Sequence, residues 1–304
     1  MIDRASTFAN EEMAALLRER FVPVAIDQAY ERRQQDAEGE FYRKFAGQGP
    51  RKDFKGTTQG FYVATADGEL LLYNNNRDPE KVRRLVARAL QQFDASPAAK
   101  REVAAIDPGR ADPRWAVAPP EGGLVVRAHG KVLGGYAPTE SWTRRAMQQA
   151  LSRDNLWITA QEHAALVKGE LPERLLVRIA RYHLVDNTRG EPGMWRPEHV
   201  RELAVRRDGD RIEGRVRLAS EDGARSYDAQ VLGFVATTDG KVTRFDLVAL
   251  GTYEGEGRYT RGAPDEPFPY AVSLRLADGR DTADAVPPQG SRGWLQGYLR
   301  AERR

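Results

Sequence analysis

The stretch Arg211-Ile-Glu-Gly-Arg-Val-Arg-Leu218 alternates between two kinds of side chain. Successive side chains of a β-strand point to opposite faces. Every second residue from Ile212 to Leu218 would therefore share one face, and three arginines and a glutamate would share the other. Such alternation is typical of an antiparallel sheet that buries one face and exposes the other to water. The stretch predicts a half-buried antiparallel strand.

Similar short segments surround this strand, and tight turns separate them. Asp-Gly pairs at 208–209, 222–223 and 239–240 are residues that tight turns prefer. Strands joined in this way run antiparallel, which predicts a curled β-meander covered by the helices that precede it. The strands are expected at 201–206, 211–218, 226–236 and 241–251 and, after a Gly/Pro-rich loop, at 269–276.

The residues ahead of the meander predict a hairpin and two helices. Short apolar runs at 124–128 and 132–133 flank His129-Gly130, which indicates a hairpin. Helices are expected from Thr139 to Leu151 and from Pro172 to Leu184, the second with leucines at helical spacing. Residues 124–304 are therefore predicted to form an α+β domain built on an antiparallel sheet.

The N-terminal residues predict a different order of elements. Asn10 precedes a helix with acids in its first turn, and the apolar run at 21–26 predicts a strand buried on both faces. A polar helix is expected at 28–45, then a hairpin at 60–73 around an Asp-Gly pair. Asp78-Pro79 begins an amphipathic helix. Helix, strand, helix, hairpin and helix is the order of a thioredoxin-like domain without its first strand.

The segment Ser6-Thr-Phe-Ala-Asn-Glu-Glu-Met-Ala-Ala-Leu-Leu-Arg-Glu-Arg-Phe-Val-Pro-Val-Ala-Ile-Asp27 resembles the thioredoxin-like domain of the spermatogenesis-associated protein family and its bacterial relatives. The resemblance continues to the hairpin with Ala66-Asp67-Gly68-Glu69 and covers roughly residues 6–93. It implies an α/β thioredoxin-like N-terminal domain at 1–93. Residues 94–123 contain five prolines and little periodicity, which predicts a linker ahead of the α+β domain.

The residues that carry the family's chemistry are missing from this sequence. In the family a Cys-x-x-Cys lies just ahead of the helix, a position that falls here at or before Met1 to Ala5, and the chain contains no cysteine. The family's cis-proline position falls on Gln59. Thiol–disulfide exchange requires an attacking thiolate, so we expect a non-catalytic binding or scaffold protein. A truncated oxidoreductase, with its Cys-x-x-Cys upstream of Met1, is an alternative.

The resemblance also indicates where a peptide or small ligand would bind. Thr57, Thr58 and Gln59 would lie at the rim where thioredoxin-like folds meet their substrates, and Tyr30 and Arg33 would lie on or beside the second helix. Together they predict a small polar pocket for a peptide or an anion. The competing interpretation is a solvated helix face beside a polar loop.

A second alternative places acid–base or metal-assisted chemistry in the segment 183–199. His183 with Asp186 or Glu191 could act as acid and base, and His199 could complete a two-histidine, one-carboxylate metal site. His183 also lies on the apolar side of its predicted helix, eight residues after Leu175. That position favours a hydrogen-bonded core histidine, so we predict no metal site and no cofactor.

Charge and hydropathy exclude several partner classes. The chain has 47 Lys and Arg against 44 Asp and Glu, and the cations are interspersed with acids rather than clustered. A nucleic-acid-binding protein should carry a basic face. Because the cations here are dispersed, we do not expect nucleic acid as a partner. No apolar run approaches membrane-spanning length, and no signal-like segment follows Met1. As written, the sequence predicts a cytoplasmic protein; a longer N-terminus would change that expectation to an exported one.

Overall fold

The structure is a computed structural model that describes residues 5–97, 109–112 and 116–301. These residues divide into two compact units: residues 6–117 form one, and residues 118–301 together with Ala5 form the other. The position expected for a Cys-x-x-Cys lies largely outside the described residues, as does much of the predicted linker. The domain boundaries at 93 and 124 stay a prediction.

The described residues of the N-terminal unit form four α-helices and one hairpin. A short 3-10 turn at Thr7–Ala9 precedes the first helix. The elements are α1 (Glu11–Arg20), α2 (Gln28–Glu31), α3 (Ala37–Ala46), β1 (Phe61–Ala64), β2 (Leu70–Asn74) and α4 (Pro79–Asp94).

Side-chain caps determine where these helices begin. The Oδ1 atom of Asn10 accepts from the Met13 backbone N–H at 2.9 Å, and Asp78 accepts from the Lys81 N–H at 2.8 Å. Each cap satisfies a donor that the first helical turn leaves without a partner. The predicted caps at Asn10 and at Asp78-Pro79 are confirmed. The predicted helix at 28–45 is two helices, because Asp36 caps α3 through the Gly39 N–H at 3.0 Å and the chain turns ahead of it.

The predicted hairpin is confirmed, and the predicted strand before it is wrong. β1 and β2 pair antiparallel with Tyr62 opposite Tyr73, and Gly68 takes the left-handed backbone that their turn requires (φ 84°). Residues 21–26 form no strand, and Val22 and Val24 are 89% and 71% exposed. An apolar run becomes a buried strand only when neighbouring chain pairs with its backbone and covers its side chains. Phe21 packs against Met13, Val82 and Val86, but no described segment pairs with residues 22–26 or covers their side chains.

Two small apolar clusters hold the N-terminal unit together. In one, Met13 of α1 packs with Val82 and Val86 of α4. In the other, Tyr42 and Phe45 of α3 pack with partly buried side chains of the hairpin. The helices thus bury their apolar faces against the hairpin and each other rather than against a central sheet.

The C-terminal unit is built on a seven-stranded sheet in which every pair is antiparallel. The strand order is β4-β3-β9-β8-β7-β6-β5. Its strands are β3 (Leu124–Val132), β4 (Asp154–Ile158), β5 (Val200–Asp208), β6 (Arg211–Ala219), β7 (Ser226–Thr238), β8 (Lys241–Glu254) and β9 (Phe268–Leu276). The five predicted meander strands are confirmed.

The predicted hairpin at 124–133 is wrong, because β3 runs straight through His129-Gly130. A glycine is required at position 130 by close packing of neighbouring side chains, not by a turn. A Cβ added to it would lie 2.1 Å from the Tyr270 hydroxyl and 2.8 Å from Ser152 Oγ. The partner of β3 on its outer side is β4, a strand that the sequence did not predict. The sheet therefore extends two strands beyond the meander.

Helices pack around the sheet, and those at 160–167, 173–178 and 295–299 contribute side chains to the core on its inner face. They are α5 (Trp142–Gln149), α6 (Ala160–Val167), α7 (Glu173–Arg178) and α8 (Leu295–Leu299). The helix predicted to reach Leu184 is shorter: α7 ends at Arg178 and continues as one wider π turn, Ile179–His183. Leu166 and Leu175 from these helices join the inward side chains of the strands, such as Phe245, in one apolar core.

A fully buried arginine crosses this core. The Arg178 guanidinium donates to both carboxylate oxygens of Glu162, at 2.6 and 2.7 Å, and to the carbonyls of Trp157 and Leu299, at 3.0 and 3.3 Å. Burial alone would raise the pKa of Glu162, but hydrogen bonds and charge from Arg178 outweigh it and hold that pKa below its usual value. Glu162 also caps α6 through the Thr159 N–H at 2.9 Å.

Replacing this arginine should destabilise the C-terminal unit strongly. Arg178→Met leaves the Glu162 carboxylate buried without its cation, which we expect to lower the free energy of unfolding by about 3–5 kcal/mol. Urea unfolding followed by tryptophan fluorescence measures the loss. Arg174→Met, on an exposed position of the same helix, should change the value by less than about 0.5 kcal/mol.

The double variant Arg178→Met with Glu162→Gln separates charge from packing. Glutamine keeps the capping oxygen and carries no charge, so the double variant should be more stable than Arg178→Met alone. Equal or lower stability of the double variant would show that lost contacts, rather than a buried unpaired charge, dominate the cost.

Candidate functional site

The segment 182–189 is a continuous buried run in which most polar side chains have internal partners. It follows α7 through the π turn and enters the core of the sheet. The sequence places candidate acid–base groups here, at His183 and Asp186. Their surroundings determine what chemistry the segment can perform.

His183 lies between an acid and a phenol. Its Nδ1 atom is 2.9 Å from Asp154 Oδ2, and its Nε2 atom is 2.8 Å from the Tyr298 hydroxyl. Asp154 in turn accepts from the Gln289 N–H at 3.0 Å. Burial raises the pKa of Tyr298 far above its usual value. Both ring nitrogens of His183 thus face partners within the fold, so a substrate would have to displace one of them.

Asp186 is bound to Arg189 rather than to His183. The Arg189 Nη2 atom lies 2.6 Å from Asp186 Oδ2, and Asp186 Oδ1 accepts from the Thr188 backbone N–H and hydroxyl at 3.0 and 2.6 Å. Arg189 also donates to the Thr260 carbonyl at 2.9 Å. The pair tethers the 186–189 turn to the loop that precedes β9.

Buried tyrosines complete the surroundings of this turn. The Tyr270 hydroxyl donates to the Val185 carbonyl at 2.8 Å, and the Tyr227 hydroxyl lies within 3.1 Å of the Ala249 and Tyr270 carbonyls. Burial raises the pKa of Tyr253 to about 12. These phenols stay neutral at ordinary pH and act as hydrogen-bond donors that fix the backbone.

The structure does not bring the second candidate acid, Glu191, or the second histidine, His199, into this network. Glu191 is exposed, whereas His199 is buried and accepts the Arg196 N–H on Nδ1 at 3.3 Å. Within the described ranges no three His, Cys, Asp or Glu side chains are grouped as metal ligands would be. A crevice beside Ser152, Asp154 and His183 is too narrow to admit a water molecule.

The N-terminal candidates fall into buried and exposed positions. Thr58 is fully buried: its Oγ1 atom lies 2.6 Å from the Tyr42 hydroxyl and 3.0 Å from Gln28 Oε1. Its side chain therefore belongs to the packing of α2 and α3, and ligand contact through it would disrupt that packing. Thr57 and Gln59 are exposed neighbours joined by a 3.3 Å hydrogen bond. The exposed Arg33 guanidinium lies 5.6 Å from the ring centre of half-buried Tyr30.

Sequence reasoning missed a group of exposed apolar side chains on the outer face of the sheet. We call it the outer stripe: Phe234 and Leu232 on β7 and Val248 and Leu250 on β8, each between 43% and 54% exposed. Leu232 lies opposite Val248, so the stripe runs diagonally across β7 and β8, and Leu250 lies opposite Ala271 of the next strand, β9. It adjoins a shallow depression of about 650 Å³ between β5, β6 and β7.

A signal for the outer stripe is present in the sequence. β6 alternates between apolar and charged residues, but residues 231–236 and 247–250 are almost continuously apolar. In an antiparallel sheet such a run puts apolar side chains on both faces. Reading those runs against the alternation of β6 would have predicted a second apolar surface.

Comparison of the chain with family models, with curated proteins and with solved structures gives no match. The described helices include none long and apolar enough to cross a membrane. Any functional assignment therefore rests on the geometry of the chain alone.

The environment of His199 predicts its titration. Burial lowers the pKa of His199 below its usual value of 6.5, the charges of Arg225 and Arg196 act in the same direction, and Glu198 opposes them. With four histidines in the chain, proton NMR can follow each imidazole. The resonance that disappears in His199→Gln should titrate with a midpoint below 6.5.

The sign of the stability effect follows from the lowered pKa. The unfolded chain binds a proton to this histidine more readily than the folded chain, so the free energy of unfolding should fall as pH drops below about 6.5. His199→Gln should show a smaller fall over the same range. A midpoint at or above 6.5 for the assigned resonance would contradict this account of its burial.

Proposed function

We propose that this chain is a non-catalytic binding protein whose C-terminal unit takes an amphipathic helix of a partner protein on the outer stripe. The observation that carries the proposal is the cluster of four large apolar side chains, about half exposed, at adjacent positions of β7 and β8. Scattered surface apolar residues are ordinary, but a contiguous patch marks an interaction surface.

The arrangement of charge around the stripe favours an apolar occupant. The Arg206 guanidinium lies 2.6 Å from Glu213, and Arg215 lies 2.6 Å from Asp228. Glu213 also lies 3.3 Å from Arg211, and Asp228 lies 3.6 Å from Arg217, so these acids offset part of the arginine charge. The stripe itself carries no charge that would attract a polyanion or an anionic surface. Burial of apolar area would supply most of the binding free energy.

The dimensions of the stripe match a short helix. From the level of Phe234 to that of Leu250 the stripe extends four residues along the strands, about 14 Å. A helix of about nine residues has that length and presents three or four apolar side chains on one face. We therefore favour a helix over an added strand as the occupant, because the hydrogen bonds of β7 and β8 are already paired on both edges.

The buried polar groups support a binding function over an acid–base one. His183, Asp186 and Arg189 have their partners inside the core, and the adjoining crevice admits no water. A reacting group needs access to its substrate. Thiol–disulfide exchange would need a cysteine, and the sequence contains none.

A designed peptide tests the proposal directly. The probe is a helix of about 14 residues made of leucine, lysine and glutamate with leucines at helical spacing, compared by calorimetry with a scrambled peptide of equal composition. The wild-type chain should bind the helical peptide more tightly than the scrambled one. Leu232→Glu and Val248→Glu should each weaken binding at least about tenfold, because each places a charge in the apolar contact.

Thr252→Glu is the matched control, since Thr252 is exposed on the outer face of β8 but outside the stripe. It should leave the affinity for the peptide unchanged. Equal binding of both peptides, or equal affinity in all variants, would contradict the outer stripe as the binding surface. Thr57→Ala with Gln59→Ala then tests the N-terminal rim as the remaining candidate.

A further inference from the structure

Residues 22–26, Val-Pro-Val-Ala-Ile, are an apolar segment whose backbone has no partner in the part of the chain that the structure describes. All five residues are exposed. The segment is anchored at both ends: the Phe21 N–H donates to the Leu17 carbonyl at 3.2 Å, and Asp27 caps α2 through the Ala29 N–H at 3.1 Å. Phe21 already has the dihedral angles of a β-strand (φ −135°, ψ 159°).

Pro23 makes the two edges of this segment unequal. In an extended chain the N–H groups of residues 22, 24 and 26 point to one edge and those of 23 and 25 to the other. Proline has no N–H, so the second edge offers one donor, at Ala25, whereas the first offers three. A strand can pair fully only along the edge of Val22, Val24 and Ile26.

We infer that residues 22–26 pair antiparallel with the same segment of a second copy of this chain, so that the protein associates into a two-fold symmetric dimer. Val24 faces Val24 of the second copy, and Val22 faces Ile26. All three donors and all three carbonyls of the open edge then form hydrogen bonds. Pro23 faces Ala25 at a position where neither N–H is used, which is where a paired strand tolerates proline.

The symmetry of the apolar side chains favours a second copy in this orientation. Val22 and Ile26 lie two residues to either side of Val24. Antiparallel self-pairing therefore places Val22 of each copy beside Ile26 of the other, with Val24 between them on the same face. Charge contributes little, because Arg20 is paired with Asp94 at 2.8 Å and Glu19 lies next to Arg18.

The size of the contact predicts its strength and its limit. Five residues a copy bury far less than the roughly 1,200 Å² of a stable interface, so the dimer belongs to the weak, reversible class. Assembly stops at two chains, because the remaining edge carries proline and cannot continue a ladder. This inference concerns the N-terminal unit and is independent of helix binding at the outer stripe.

Single cysteines test the register, because the chain has none of its own. In the proposed pairing the two Cα atoms of residue 24 lie about 5.5 Å apart, within disulfide range, whereas those of residue 22 lie about 14 Å apart. Under mild oxidation Val24→Cys should form covalent dimers and Val22→Cys should not. A mixture of Val22→Cys and Ile26→Cys chains should form the mixed dimer. Crosslinking of Val22→Cys with itself, or none at position 24, overturns the proposal.

Proline variants test the edge. Val24→Pro removes the central donor of the open edge, and Ala25→Pro removes a donor that points away from the partner. Both positions are exposed and without backbone partners among the described residues, so both variants should keep the wild-type circular dichroism spectrum. In sedimentation equilibrium from about 10 µM to about 1 mM, a range suited to weak interfaces, the wild type and Ala25→Pro should dimerise. The dissociation constant of the Val24→Pro dimer should be at least about tenfold higher than that of the wild type. A wild type that stays monomeric, or a dimer indifferent to Val24→Pro, overturns the proposal.

Discussion

The C-terminal unit depends on one buried ion pair, between Arg178 and Glu162. A guanidinium taken out of water needs acceptors for its donors, and here two carboxylate oxygens and two main-chain carbonyls accept hydrogen bonds from its two Nη atoms. The buried Nε atom has no acceptor among the described residues. Those acceptors belong to α6, to β4 through Trp157 and to the C-terminal segment through Leu299. The arginine therefore determines how the covering helices lie on the sheet, and it places the π turn and the 182–189 segment beyond it.

How far the sequence predicted this fold depended on how local each signal was. The meander strands and the Asp78 cap arise from neighbouring residues, through alternation and a single side-chain acceptor, and they were predicted. β4 was not, because five residues with no clear period become a strand only beside β3. Residues 21–26 show the opposite error: their composition suits a strand, but no described segment pairs with them or covers residues 22–26.

The candidate site follows the same division between local and distant information. The position of His183 on the apolar side of its helix favoured a buried, hydrogen-bonded histidine, and it is buried. Its partners could not be predicted, since Tyr298 lies 115 residues away and Asp154 belongs to the unpredicted strand. Thr58 was expected at a ligand rim, but Gln28 and Tyr42 draw it into the interior. Residue type alone does not distinguish a polar group that meets ligand from one that satisfies a neighbour.

The docking of α8 affects how this protein is made in the cell. The Tyr298 ring packs beside His183 and the Leu299 carbonyl receives Arg178, so residues 295–301 complete the core of a sheet whose first strand begins at Leu124. A ribosome hides the last residues it has joined, and domains form as whole units during synthesis. The core of this unit cannot be completed while α8 is inside the exit tunnel, so its strands stay incompletely covered until then. The N-terminal unit, residues 6–117, leaves the ribosome earlier and does not need α8.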